Sequence, residues 1–292
     1  MICIPEEIAP SIWYYAFMLA TAWSVLFFSH TISGGTDVTT FFIATVFVPL
    51  LFSAVACGIT GKSFRDLIGL RGDILLNIGM IALTAGATVL LYMFLIRPFS
   101  LLFKGTSIYP AILWTTAVFS QQPAVSYTPL LLILVTYIWV GFGEEIIKLF
   151  GMKSIAQTIS KFTRISLGWC FVIGGFLSFL FWVLLHMFAW SAGEFFIAAC
   201  FAIFWSVFWY TIFYVAGERF IAPEAGIQPR VMILSGPAAG HAIYDVLSEM
   251  GYQGYLTGIN SSFILLIGAA AFAIGVGIVI YQWYRYPRLT WF

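Results

Sequence analysis

The sequence predicts an all-α, polytopic membrane protein of about eight transmembrane helices, forming one integral membrane domain over residues 1–292. Three observations predict it. Hydrophobic residues make up 62% of the chain and charged residues only 9%, against about 25% charged in a soluble domain. Mean hydropathy is +1.00. Apolar runs long enough to cross a bilayer, about 20 residues each, recur along the chain and are separated by short polar segments.

The first run is Ser11–Ser29, followed by the polar turn His30–Thr39. The second, Thr40–Cys57, ends in the basic loop Gly58–Asp73, and the third is Ile74–Ile96. Arg97–Thr128 is irregular, with Pro98, Pro110 and Pro123 inside it and Pro129 at its end. Its apolar piece Ala111–Phe119 is too short to span and fits an interfacial or re-entrant segment. The fourth run is Leu130–Phe150. Met152–Arg164 follows with Lys153, Lys161 and Arg164 among Ile155, Ile159 and Phe162, which predicts an amphipathic extension or an interfacial helix. The fifth run is Leu167–Trp190 and the sixth Phe195–Ala216. The polar loop Gly217–Arg230 leads to the seventh, Val231–Met250. The eighth is Ser262–Trp283, before a short basic tail.

Eight spans put both termini on one side. That side holds Lys62, Arg65, Arg71, Lys153, Lys161, Arg164, Arg219, Arg230, Arg285 and Arg288, whereas the other holds Arg97 and Lys104. The positive-inside rule therefore predicts an integral, multi-pass membrane protein with both termini cytoplasmic. Met1–Pro10 carries Glu6 and Glu7 but no Lys or Arg, unlike the basic start of a cleaved signal peptide. Net charge is +1, which gives no support for nucleic-acid binding. Cys3, Cys57, Cys170 and Cys200 form no CxxC and read as packing residues. The aromatic content of 19% fits lipid-facing and core packing and implies no cofactor.

Against this apolar background a few polar residues stand out. Gly143-Glu144-Glu145-Ile146-Ile147-Lys148 lies inside the fourth run. Each charge at the bilayer centre costs about 2.5–3.5 kcal/mol or more. Glu144 and Glu145 point about 100° apart on a helix, and Lys148 can pair with either. The plain alternative is a helix end at the headgroups, with Lys148 snorkelling to water. His30 falls at the end of the first span, where an interfacial histidine needs no function. His186 lies in the fifth span, where a packing role competes with a functional one. His241 and Asp245, in the seventh, are four apart and share a helix face. An acid there can fix the imidazole tautomer, or the pair can be structural.

Depth supplies an independent expectation. A turn near Phe162–Ser166 places Glu144 and His186 each about 20 residues, or roughly 30 Å, above it at 1.5 Å per residue. This requires the fourth span to stay helical through Met152–Ser160. Small residues accompany each polar group: Gly141 and Gly143, Gly174 and Gly175, and Gly236 to Gly240 around Pro237. They let helices approach closely, and Pro237 can bend the seventh span.

A carboxylate and two histidines around a wet cavity can hydrolyse an amide. One glutamate would take a proton from water, histidine would stabilise the oxyanion or protonate the leaving amine, and Lys148 would hold the second glutamate in place. His186, His241 and a carboxylate could instead hold Zn²⁺, although no HExxH occurs.

Glu144-Glu145-x-x-Lys148, Trp182-x-x-x-His186 and His241-x-x-x-Asp245 together resemble the motifs of the intramembrane glutamate protease superfamily. That superfamily includes the type II CAAX prenyl endopeptidases, the CPBP immunity-type proteins and the PrsW site-1 proteases. The resemblance covers about residues 130–250. The glutamates match the EExxK form of PrsW rather than EExxxR, since Leu149 stands where the arginine would be. His186 matches FxxxH of the CAAX and CPBP groups, with Trp182 in place of the phenylalanine, rather than FxxxE of PrsW.

The resemblance implies that Glu144 or Glu145 activates water, that His186, His241 and Asp245 shape the oxyanion site, and that neither metal nor cofactor is needed. It also implies a membrane-anchored protein or prenylated peptide as substrate. Two other classes stay open: a non-catalytic scaffold or immunity-type protein of the same fold, and a proton-coupled transporter. Transporters usually show repeated halves, and no internal repeat is present here.

Overall fold

A computed structural model describes residues 11–33, 38–61, 74–91, 129–165, 167–186, 235–256 and 259–285, with the isolated positions 93, 94 and 102. All regular structure among these residues is helical. The helices are α1 (Ile12–Ser33), α2 (Val38–Phe42), a π-helical turn (Ile43–Phe47), α3 (Val48–Thr60), α4 (Ile74–Leu91), α5 (Leu130–Phe162), α6 (Leu167–Leu185), α7 (Ser235–Tyr252) and α8 (Ser261–Arg285). Among the described residues, five stretches are long and apolar enough to cross a membrane: Ile12–Ile32, Thr39–Ile59, Ile74–Leu91, Leu130–Phe162 and Ser261–Gln282. They match the first, second, third, fourth and eighth expected spans. The fifth corresponds to a shorter apolar helix, Trp169–Leu185. The seventh forms α7, but its His, Asp, Glu and Ser residues keep it out of the apolar class. The sixth, Phe195–Ala216, lies outside the described residues.

The chain divides into two compact units. The first comprises Met1–Arg71, Gly143–Leu234 and Tyr286–Phe292; the second comprises Gly72–Phe142 and Ser235–Arg285.

In the first unit, α1 buries Tyr15, Met18, Ala22 and Leu26, a stripe at helical spacing, and exposes Trp13, Phe17, Phe28 and Ile32. Large apolar side chains on the outside and polar ones inside are what lipid as solvent requires. The π-turn between α2 and α3 has a local cause. Pro49 has no N–H to give the Thr45 carbonyl, and its ring crowds that carbonyl. The Val48 N–H bonds instead to the Ile43 carbonyl, five residues back. Gly143 of α5 packs against this turn, where a Cβ would collide with the Thr45 carbonyl.

Helix α5 is 33 residues long, roughly 50 Å at 1.5 Å per residue, longer than the hydrocarbon core of about 30 Å. It continues without a break through Met152–Ser160 and ends at Phe162, with α6 starting at Leu167, as the depth argument requires. The stretch after Met152 is an extension of the same helix rather than a separate interfacial one. Met152–Ala156 is buried, and exposure grows only towards Lys161 and Phe162. Gly174 of α6 meets the Met152 carbonyl and Ala156, and Gly151 meets Ser178 and Tyr15, so α1, α5 and α6 close on one another. The Ser178 hydroxyl donates to the Lys148 carbonyl at 2.7 Å.

In the second unit, α4 packs against α8 through glycines seven residues apart on each helix. Gly79 meets Ile278, Gly86 meets the Phe272 backbone, Gly268 meets Val89 and Gly275 meets the Leu83 backbone. Residue numbers rise on one helix as they fall on the other, so the pair is antiparallel. Without side chains at these positions the backbones approach closely, which is how helices gain contact where burial from water supplies no drive. Gly240 of α7 meets Thr84 and Thr88 of α4, and Gly141 of α5 meets Ala242 of α7.

Candidate active site

Every residue from Gly143 to Ala156 is buried, so Glu144, Glu145, Lys148 and Lys153 face protein. Glu144 is 1% exposed, Glu145 3%, Lys148 3% and His186 4%. The reading of a helix end in the headgroups does not fit these positions, since a snorkelling lysine would keep its ammonium in water.

The two adjacent glutamates have different partners. Lys148 Nζ lies 2.5 Å from Glu145 Oε1, an i,i+3 ion pair along α5. The same ammonium sits 3.8 Å above the Trp182 ring centroid and 5.8 Å from that of Phe179, a cation over two aromatic faces. Glu144 points about 100° away, towards α6. Its Oε2 accepts from the Trp182 indole N–H at 2.7 Å, and its Oε1 lies 3.4 Å from His186 Nε2.

His186 follows the last residue of α6, where helix carbonyls lack intrahelical donors. Its Nδ1 is 3.0 Å from the Trp182 carbonyl oxygen. A carbonyl only accepts, so Nδ1 carries a proton and Nε2 is the nitrogen presented to Glu144. A hydrogen bond between that Nε2 and a carboxylate oxygen then requires one further proton, held by the imidazole or by the carboxyl. Glu144 and His186 face each other at ion-pair distance. Rings fix the imidazole on two sides: Trp182 at 4.6 Å and Phe41 at 5.3 Å between centroids, both edge-on.

In the second unit, His241 Nε2 lies 3.4 Å from Asp245 Oδ2, with side-chain exposures of 12% and 9%. The polar face of α7 continues beyond them. Glu249 accepts from the Tyr137 hydroxyl at 3.1 Å and from the Gln253 amide at 2.8 Å.

The structure thus brings Glu144, Glu145, Lys148 and His186 together in the first unit and pairs His241 with Asp245 in the second. The sequence reading missed Trp182 as a donor, although its place one turn before His186 put its indole on the histidine's face. It also missed Tyr137, Glu249 and Gln253. Among the described residues, no group of three or more His, Cys, Asp or Glu has the arrangement of a metal site. Cys170 is a fully buried thiol. No family model, curated protein or solved structure matches the chain.

Proposed function

We propose that this protein is an intramembrane endopeptidase of the glutamate type, cutting a peptide bond of a membrane-anchored protein or prenylated peptide with water activated by Glu144. One observation carries the reading: two neighbouring buried glutamates are differentiated, one closed in an ion pair with Lys148, the other facing a histidine. A carboxylate already neutralised by an ammonium at 2.5 Å is a poor base. Glu144 faces His186 rather than the ammonium, so as the carboxylate it can take a proton from water and pass it on. Glu145 and Lys148 hold the neighbouring turn at zero net charge, which keeps a second negative charge from opposing the one that develops in the transition state.

In this reading water loses a proton to Glu144, its oxygen adds to the scissile carbonyl carbon, and the tetrahedral oxyanion is met by imidazole N–H donors. His186, 3.4 Å from Glu144, supplies one, and the resemblance to glutamate proteases assigns the same role to His241 beside Asp245. The proton taken from water then goes to the leaving amine as the C–N bond breaks. The eight-span arrangement with both termini cytoplasmic belongs to the same proposal.

Cleavage assays on purified protein in detergent test it. The substrates are farnesylated CAAX peptides and single-span membrane proteins, each tried with and without a chelator. Wild type is expected to cleave one class irrespective of chelator. Glu144→Gln is expected to lose at least about 100-fold in kcat, the usual contribution of general base catalysis. Glu145→Gln is expected to keep more activity than Glu144→Gln. Equal loss in both variants would sink the assignment of the base. Chelator-sensitive cleavage would replace the mechanism with a metal-dependent one. Absence of cleavage by folded wild type would favour a non-catalytic scaffold.

A further inference from the structure

We propose that Trp182 is a positioning residue for Glu144, selecting through its indole N–H which carboxylate oxygen faces His186. The proposal rests on the protease reading and adds to it a residue whose role there is more than packing. Three contacts of one residue carry it, two by its side chain and one by its backbone. Its N–H donates to Glu144 Oε2 at 2.7 Å. Its ring face carries the Lys148 ammonium at 3.8 Å. Its own carbonyl accepts from His186 Nδ1 at 3.0 Å. The residue is buried and so held by packing.

These contacts act on different members of the site. A carboxylate in an apolar wall is free to rotate about its last torsion, which is broad and roughly two-fold. The indole donor removes that freedom by engaging Oε2, and Oε1 is left for His186. The carbonyl fixes the imidazole tautomer, so Nε2 is the nitrogen that meets Oε1. The ring face meanwhile engages Lys148 beside Glu145. Trp182 therefore touches both halves of the charged cluster and separates them. A phenylalanine at this position supplies a ring for the lysine and a carbonyl for the histidine, but no N–H for the glutamate. The predicted defect is specific: the fold and substrate binding persist, and the carboxylate loses its fixed orientation.

The test combines a spectroscopic and a kinetic readout on the full chain in lipid nanodiscs. The indole N–H groups are labelled with ¹⁵N, and the Trp182 signal is assigned by its absence in Trp182→Phe. Glu144→Gln is expected to move that signal upfield, because a neutral amide oxygen is a weaker acceptor than a carboxylate. Trp182→3-benzothienylalanine keeps the bicyclic shape and replaces N–H with sulfur, which guards against the folding defect a smaller ring brings. It is expected to lower kcat about 30-fold, the range for one hydrogen bond to a charged group, with KM within about twofold of wild type. A Trp182 signal that Glu144→Gln leaves in place would overturn the proposal, as would wild-type kcat in the benzothienyl variant. Inactive wild type with a signal that does move is a different failure. It removes the protease reading, and the positioning role with it, while leaving the hydrogen bond itself established.

Discussion

Glu144 and Glu145 are the same side chain in adjacent positions, and the helix alone makes them different. A rotation of about 100° turns one towards Lys148 on its own helix and the other towards α6. The consequence for stability is asymmetric. Removing Lys148 strands a buried carboxylate, and breaking a buried ion pair from one side costs about 3–5 kcal/mol. Lys148→Met is therefore expected to lower the SDS concentration at which the protein unfolds from mixed micelles. The double variant Glu145→Gln, Lys148→Met is expected to recover most of that loss, because no unpaired charge remains. A double variant as unstable as the single one would mean that Lys148 acts through its contacts with Trp182 and Phe179 instead. The spacing of Glu145 and Lys148 was legible in the sequence, since any i,i+3 pair of opposite charge can meet. Trp182 was not, because an indole in an apolar run reads the same whether it faces lipid or donates inward. Only the neighbouring helix distinguishes the two.

The helices themselves were legible wherever apolar length decided the matter, as for α1, α4, α5 and α8. The common depth of Glu144 and His186 was legible too. It needed only residue counts from a turn, and α5 stays helical up to that turn. The burial of Met152–Ala156 was not readable, because Lys153 and Ser154 carry the composition of a solvated face and tertiary packing covers them regardless. Nor was the partner of each glycine, since a glycine facing a helix and one facing lipid look alike in the sequence. Gly275 and Gly277 of α8 make the point testable. A Cβ on Gly275 would collide with the Leu83 backbone, whereas Gly277 has nothing within 4 Å. Backbone cannot move aside as a flexible side chain can, so Gly275→Ala is expected to destabilise by about 1–3 kcal/mol. Gly277→Ala is expected to be neutral or to stabilise by up to about 1 kcal/mol through helix propensity. Unfolding in SDS titrations separates them; equal effects would contradict the antiparallel α4–α8 register.

At the scale of the molecule the number of crossings decides which face of the membrane each end occupies, and α7 is where that number is most exposed to test. It carries His241, Asp245 and Glu249 within 18 residues, and each ionisable group is costly in lipid. It qualifies as a span only if these side chains face protein or water. The charge distribution favours a crossing. With eight crossings Arg285 and Arg288 join Lys161 and Arg164 on the cytoplasmic side. With seven they fall on the opposite side, against the positive-inside rule. Cysteines placed one at a time by Arg164→Cys and Arg288→Cys, with Cys3, Cys57, Cys170 and Cys200 replaced by alanine, read this directly. Both are expected to resist a membrane-impermeant maleimide added to intact cells and to react after permeabilisation. Labelling of position 288 from outside, with position 164 still protected, would mean that Phe195–Ala216 or α7 does not cross. The His241–Asp245 pair would then sit on a segment that enters and leaves by the same face. The eight-span reading would fail, while the Glu144–His186 pair, which depends only on α5 and α6, would stand.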